Sequence, residues 1–74
     1  MKSTQNIDAA RLLHDVDAVR ISRGVTWNQV FHQTWITNLS QVRRGLKPLS
    51  LTNAHKLAEW AGLDLRQYEQ EVAV

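Results

Sequence analysis

The residues best suited to chemistry in this sequence lie between Thr34 and Gly45, in the segment TWITNLSQVRRG, which holds two arginines and no acidic residue. Leu39 and Val42 are three positions apart, and a helical period of about 100° per residue places Gln41 and Arg44 opposite them. A guanidinium group can pair with guanine O6 and N7, and a side-chain amide can pair with adenine N6 and N7. The pattern predicts a set of residues that contact DNA bases: Thr37, Asn38, Ser40, Gln41 and Arg44.

Two alternatives stay open for this face. Gln41 and Arg44 can also be ordinary solvated surface residues. Thr37 can cap the short helix that ends at Gly45 instead of contacting a base, because the two roles compete for its hydroxyl group.

A second group of candidates comes earlier, where TWNQ has the pattern of a helix capping box. In that motif the Thr26 hydroxyl accepts a hydrogen bond from the N–H of Gln29, and the Gln29 side chain accepts one from the N–H of Thr26. A helix start offers free N–H groups and a positive dipole end, which together attract phosphate. The indole N–H of Trp27 could also donate there, or Trp27 could pack under the first helix. The predicted phosphate-contacting residues are Thr26, Trp27, Asn28, Arg43 and Lys47, with Arg20 and Arg23 as weaker candidates.

The net charge of +2 hides an uneven distribution along the chain. Residues 18–58 contain six basic and no acidic side chains, residues 1–17 contain two basic and three acidic ones, and residues 59–74 contain one basic and four acidic ones. A basic middle between acidic ends is expected of a domain that presents one face to a polyanion. The alternative is that these charges scatter over a solvated surface.

Several other kinds of site find no support in the sequence. There is no cysteine, and the three histidines, 18 and 23 residues apart, have no neighbouring metal-ligand pattern. Neither a glycine-rich phosphate loop nor a nucleophile elbow occurs. No apolar run approaches the roughly 18–20 residues that span a bilayer, and the N-terminus lacks the apolar stretch of a secretory signal. We therefore expect a soluble cytoplasmic protein with no enzymatic activity, no cofactor, no metal ion and no membrane contact.

The positions of helix-capping residues and of glycines predict one all-α domain of five short helices. Residues 1–6 are expected to be flexible, and a helix-turn-helix is expected over about residues 26–45. Hydrophobic residues recur at helical spacing, and no stretch alternates long enough to predict a strand. The second helix is expected over residues 27–33. The predicted capping residues are Asp8, Thr26, Thr37, Ser50 and Asp64, and the predicted terminators are Gly24, Gly45 and Gly62.

Three segments resemble the phage-repressor type of helix-turn-helix protein, which includes lambda repressor and Cro-like proteins. RGVTWNQV is similar to the start of that family's second helix. LSQVRRGLKPLSL is similar to the end of its recognition helix and the run into helix 4, and LAEWAGLDL to the exit from helix 4. The likeness covers roughly residues 8–68. It implies a compact five-helix lambda-repressor-like fold whose third helix enters the major groove of double-stranded DNA.

The turn departs from the family pattern. Phe31 stands where a small residue is usual, Trp35 stands where the turn glycine is usual, and the interval from Gly24 to Gly45 is about two residues shorter. A positive φ is costly for tryptophan. We therefore expect either another turn geometry, or a second helix that ends early and a recognition helix that starts late. In both cases Trp35 and Ile36 should plug the core between helices, with Phe31 filling the volume of the missing backbone.

Together these observations predict a Cro-like, sequence-specific regulator of transcription of phage or prophage type. It would act as a repressor at an operator site in the bacterial nucleoid, without a small-molecule effector. Such proteins commonly dimerise on half-sites about 34 Å apart. The candidate dimer contact is formed by Leu65, Tyr68 and Val72; packing onto the domain's own core, and a monomer, are the alternatives. Two other functions stay open: an antitoxin-type protein-interaction module, and an architectural or recombination-directionality DNA-binding protein.

Overall fold

Four α-helices account for most of residues 6–70, the part of the chain that a computed structural model describes. They are α1 (Ala9–Arg23), α2 (Trp27–Thr34), α3 (Leu39–Arg43) and α4 (Leu51–Ala61). A single turn of 3₁₀ helix, Leu65–Tyr68, follows α4. Two-residue strands β1 (Asn6–Ile7) and β2 (Glu69–Gln70) pair antiparallel, with Ile7 opposite Glu69. The predicted helical fold class is confirmed, whereas the predicted lambda-repressor-like arrangement stays a prediction.

Side chains at the predicted positions start three of the four α-helices. Asp8 and Ser50 each accept a hydrogen bond from the backbone N–H three residues later, at 3.1 Å in both cases. The capping box of α2 is complete, since the N–H of Gln29 donates to Thr26 Oγ1 at 3.2 Å and the N–H of Thr26 donates to Gln29 Oε1 at 2.8 Å. These bonds satisfy N–H groups that the first helical turn leaves without an acceptor.

Gly45 ends α3 in a left-handed conformation, with φ of 76°. The N–H of Leu46 donates to the carbonyl of Gln41 at 2.8 Å, and the N–H of Gly45 donates to the carbonyl of Val42 at 3.1 Å. This pair of bonds is the Schellman motif, which needs a residue that tolerates positive φ. Gly24 and Gly62 close α1 and α4 with the same bonds, so the predicted terminators are confirmed.

The predicted fifth helix is only one 3₁₀ turn, and a strand follows it. The Asp64 carboxylate accepts a hydrogen bond from the N–H of Arg66 at 3.0 Å, only two residues on. The carbonyl of Tyr68 then accepts from the N–H of Asp8 at 2.7 Å, which ties the chain beside β1 in place of a further helical turn. The two strands have only two residues each, too few for an alternating pattern that the sequence could show.

Two sequence predictions fall at the edges of the described range. Residues 1–5 of the segment predicted to be flexible lie outside it, and Asn6 belongs to β1. Val72, one of the candidate dimer contacts, also lies outside the described residues.

The core lies chiefly between α1 and α4, and the other elements pack onto it. Leu12 and Val16 of α1 and Leu57 of α4 have no exposed surface. Val30 of α2 is also fully buried, and Ile36 of the following turn is 1% exposed. The buried cluster is completed by Leu39, Ala54, Ala58, Ala61, Leu65 and Tyr68. Because α2, the turn and α3 each place a side chain in this cluster, the core fixes the orientation of α2 and α3.

Candidate functional site

The helix α3 begins later than the sequence predicted. The carbonyl of Asn38 accepts the first helical hydrogen bond, from the N–H of Val42 at 2.9 Å, so Asn38 occupies the capping position. Its side chain makes no capping bond. Thr37 lies one residue before the cap and is exposed, so the prediction that Thr37 caps this helix was wrong. The hydroxyl of Thr37 is therefore not committed to the helix start.

The inward and outward faces of α3 agree with the predicted periodicity. Leu39 and Val42 are 3% and 5% exposed and point into the protein. Ser40, Gln41 and Arg44 are exposed on the rest of the helix surface. This face therefore has a hydroxyl, an amide and a guanidinium group, as predicted.

Asn38 differs from the other predicted base-contacting residues. Its Oδ1 atom is buried and accepts no hydrogen bond from the described residues. An enclosed carbonyl oxygen cannot reach a base edge, so only the amide nitrogen of this side chain is left for outside contacts. Asn38 is the weakest member of the predicted set.

The turn between α2 and α3 takes the left-handed conformation at Trp35, with φ of 60° and ψ of 30°. The N–H of Trp35 donates to the carbonyl of Phe31 at 2.7 Å, which ends α2 at Thr34. The chain turns there so that Ile36, only 1% exposed, enters the core and the indole of Trp35 stays 69% exposed. Ile36 is the predicted plug, and the prediction that Trp35 shares that role was wrong. Phe31 packs against the core half-buried, with its ring 6.5 Å from that of Trp35.

The start of α2 and the polar face of α3 meet at one surface depression of about 220 Å³. The backbone N–H groups of Trp27 and Asn28 have no acceptor among the described residues, because the capping box uses only those of Thr26 and Gln29. Two predicted base-contacting residues, Thr37 and Ser40, line this depression with three predicted phosphate-contacting residues, Trp27, Asn28 and Arg43. The fold thus brings part of each predicted set together, whereas Gln41 and Arg44 lie outside the lining.

The indole of Trp27 has two guanidinium groups beside it. The guanidinium carbon of Arg43 lies 4.3 Å from the ring centre, and that of Arg20 lies 5.2 Å away. Trp27 is half-buried and packs against the core, which agrees with the packing alternative, and donation of its indole N–H to phosphate stays a prediction. Sequence spacing gave no sign of the contact with Arg43, which lies 16 positions away on another helix.

The basic residues divide into engaged and open ones. Arg20 donates to Asp17 Oδ1 at 2.6 and 2.9 Å and to the carbonyl of Val25 at 3.0 Å. Arg23 donates to the carbonyl of Trp60 at 2.8 Å and stacks on its ring at 4.8 Å. Within residues 6–70, no carboxylate pairs with the four other basic residues of residues 18–58: Arg43, Arg44, Lys47 and Lys56. Their charge is therefore available to an external anion.

Leu65 and Tyr68, two of the candidate dimer contacts, belong to the core of the chain itself. They are 8% and 3% exposed, so their side chains offer almost no surface to a partner. The Tyr68 hydroxyl donates to Asp15 Oδ2 at 2.5 Å, and this hydrogen bond lowers the pKa of Asp15 and raises the pKa of Tyr68. The alternative, packing onto the domain's own core, describes these two residues.

Residues 6–70 contain neither a cluster of metal ligands nor a membrane-spanning helix. No group of three histidine, aspartate or glutamate side chains in this range is arranged to hold a metal ion. In the same range, no helix has the length and apolar character needed to cross a membrane.

Comparison of the chain with family models, with curated proteins and with solved structures gave no match. The likeness to phage-repressor proteins therefore depends on the order and spacing of short segments in this sequence, and it stays a prediction.

Proposed function

We propose that this protein is a sequence-specific, double-stranded DNA-binding regulator of transcription, of the phage-repressor helix-turn-helix type. The observation that carries the proposal is the shared depression where the open start of α2 meets the polar face of α3. Base recognition and phosphate contact require such neighbouring groups, because phosphates fix the register while base edges give the specificity. The surrounding segment, residues 18–58, has six basic residues and no acid.

The length of α3 limits what it can read. Five residues with a rise of 1.5 Å each make a helix of about 7.5 Å, which fits across a major groove about 12 Å wide. Arg44 would pair with a guanine, and Gln41 with an adenine. Thr37 and Ser40, exposed at the start of the helix, would complete the contact. We expect one copy to read only about three or four base pairs.

Phosphate contacts would hold this short helix in register. Arg43 and Lys47 lie at and beyond the end of α3 and have no carboxylate partner among the described residues. At the start of α2, the free N–H groups of Trp27 and Asn28 would donate hydrogen bonds to a phosphate of the DNA backbone. The Thr26 hydroxyl accepts the capping bond with its oxygen, so its hydrogen can still be donated to phosphate.

A salt series on duplex binding tests the electrostatic part of the proposal. If Arg43 and Lys47 each neutralise one phosphate, log K should fall with log salt at a slope of about −2 per bound copy. Fluorescence anisotropy of a labelled duplex measures this slope. A flat dependence, or no binding at low salt, would contradict the proposal and favour a protein-interaction module.

Selection of bound duplexes from a random pool tests sequence specificity. Gln41→Ala and Arg44→Ala should each abolish the base preference at one position of the DNA motif. The lost discrimination should be about 1–3 kcal/mol for each variant. Arg66→Ala is the matched control, since Arg66 is exposed and hydrogen-bonded to Asp64, and it should leave the motif unchanged. Recovery of no motif would point to an architectural protein. Two motif copies about 34 Å apart would indicate that two chains bind together.

A further inference from the structure

The indole of Trp27 is the point at which three helices meet. Trp27 is the first residue of α2, Arg43 is the last residue of α3, and Arg20 lies in the last turn of α1. Both guanidinium carbons are within the range of about 6 Å at which a cation is attracted to an aromatic ring. Arg43 is the nearer of the two, at 4.3 Å.

The two arginines on this ring are not equivalent. Arg20 directs its N–H groups to the Asp17 carboxylate and the carbonyl of Val25. Arg43 is exposed, and none of the described residues accepts a hydrogen bond from it or pairs with its charge. A guanidinium group that stacks by its face keeps its N–H edge free for a planar, two-point contact with phosphate.

The Asp17 carboxylate reduces the repulsion between the two guanidinium groups beside Trp27. Two cations beside one indole repel each other, and the Asp17 carboxylate, hydrogen-bonded to Arg20 at 2.6 and 2.9 Å, offsets one of them. An arginine in free solution would lose rotamer freedom on binding phosphate. Against the Trp27 ring, Arg43 has already lost part of that freedom.

We propose that Trp27 is a positioning residue that holds the Arg43 guanidinium in place to grip a DNA phosphate, with the Asp17–Arg20 pair supporting the ring from α1. The inference rests on the proposed function, because it assigns the phosphodiester as the ligand of Arg43. The inference gives Arg43 a different role from Arg44, which contacts no aromatic ring among the described residues and is assigned to a base.

A double-mutant cycle on duplex affinity tests this assignment. Arg43→Ala should weaken binding and reduce the magnitude of the salt slope by about 0.9. In a Trp27→Leu background the loss caused by Arg43→Ala should be about two- to fivefold smaller, the size of an exposed cation–π contact. Arg44→Ala is the matched control, and its effect should be the same in both backgrounds. Trp27→Phe, which keeps an aromatic face, should restore most of the coupling.

The free protein gives a second measurement that needs no DNA. In nuclear magnetic resonance spectra, the side-chain signals of Arg43 should be shifted upfield by the indole ring current, and those of Arg44 should not. The shift should vanish in Trp27→Leu and persist in Trp27→Phe. If Trp27→Leu does not fold, the comparison of Arg43 with Arg44 in the wild-type protein still decides whether the stack exists.

The possible failures are distinguishable. An unshifted Arg43, or additive effects of Trp27→Leu and Arg43→Ala, overturns the inference and leaves the proposed function standing. Absence of binding to any duplex overturns the proposed function and the phosphate role of Arg43, even if the ring-current shift is present.

Discussion

Replacing Trp35 by glycine and by alanine measures the strain held in the turn between α2 and α3. Trp35 is left-handed, with φ of 60°, and it is the one non-glycine residue with positive φ among those the structure describes. Both variants remove the indole, which is 69% exposed, so its lost contacts cancel between them. What differs is the Cβ atom, which clashes with the backbone in this conformation.

The expected size of the difference follows from two opposing terms. A left-handed conformation costs a residue with a Cβ atom about 1–2 kcal/mol relative to glycine. Glycine has greater freedom in the unfolded chain, which costs about 0.4–1 kcal/mol on folding. Trp35→Gly should therefore be more stable than Trp35→Ala by about 0.8 kcal/mol, the difference between the midpoints of these two ranges. For a chain of this size the difference corresponds to roughly 4 °C in Tm.

The sign of the effect is the stringent part of the prediction, because it is reversed at ordinary helical positions. His55 lies inside α4 and is exposed, so His55→Gly should be less stable than His55→Ala by about 1 kcal/mol. Urea unfolding followed by circular dichroism at 222 nm measures all four variants. If alanine is more stable than glycine at position 35, as it should be at position 55, the turn does not have the left-handed geometry and the reasoning fails.

Three further predictions concern the stability of the fold. Thr26→Ala removes half of the capping box and should cost about 1 kcal/mol in urea unfolding. Leu57→Ala should cost about 2–5 kcal/mol because Leu57 is fully enclosed, whereas Leu46→Ala, at a residue 64% exposed, should change stability by no more than about 0.5 kcal/mol. The hydrogen bond from Tyr68 lowers the folded pKa of Asp15 below its usual 3.8, so this contribution to stability is present above that pH and is lost as pH falls through the lowered pKa. When the free energy of unfolding is measured at decreasing pH, it should therefore fall less below about pH 4 for Tyr68→Phe than for the wild-type protein.

The ends of the helices could be predicted because their causes are local. A hydroxyl or carboxylate that caps an N–H three residues later is visible in the sequence, as at Asp8, Thr26 and Ser50. A glycine after a helical stretch is equally visible. The inward positions of Leu39 and Val42 also follow from the helical period alone.

The turn shows where local reasoning failed. The structure adopts a positive φ at Trp35, which we expected the turn to avoid. Of the expected alternatives only the late start of α3 occurs, since α2 ends at Thr34, one residue beyond its predicted end. In the observed geometry Ile36 enters the core and is 1% exposed. Burying an isoleucine side chain contributes about 1.5–3 kcal/mol, enough to offset a local strain of about 1–2 kcal/mol. Tertiary packing therefore decided the conformation of the turn and left the indole outside.

The sequence by itself determined the starts of α1, α2 and α4, the glycines that end α1, α3 and α4, the face of α3 that points inward, and the basic charge of the middle of the chain. Tertiary structure decided three further features: the pairing of Ile7 with Glu69, the burial of Leu65 and Tyr68, and the stacking of Arg43 on Trp27. Capping and periodicity act within one turn of a helix, so residue order encodes them directly. Contacts between residues 16 to more than 60 positions apart depend on how the core assembles, and no spacing rule in the sequence specifies them.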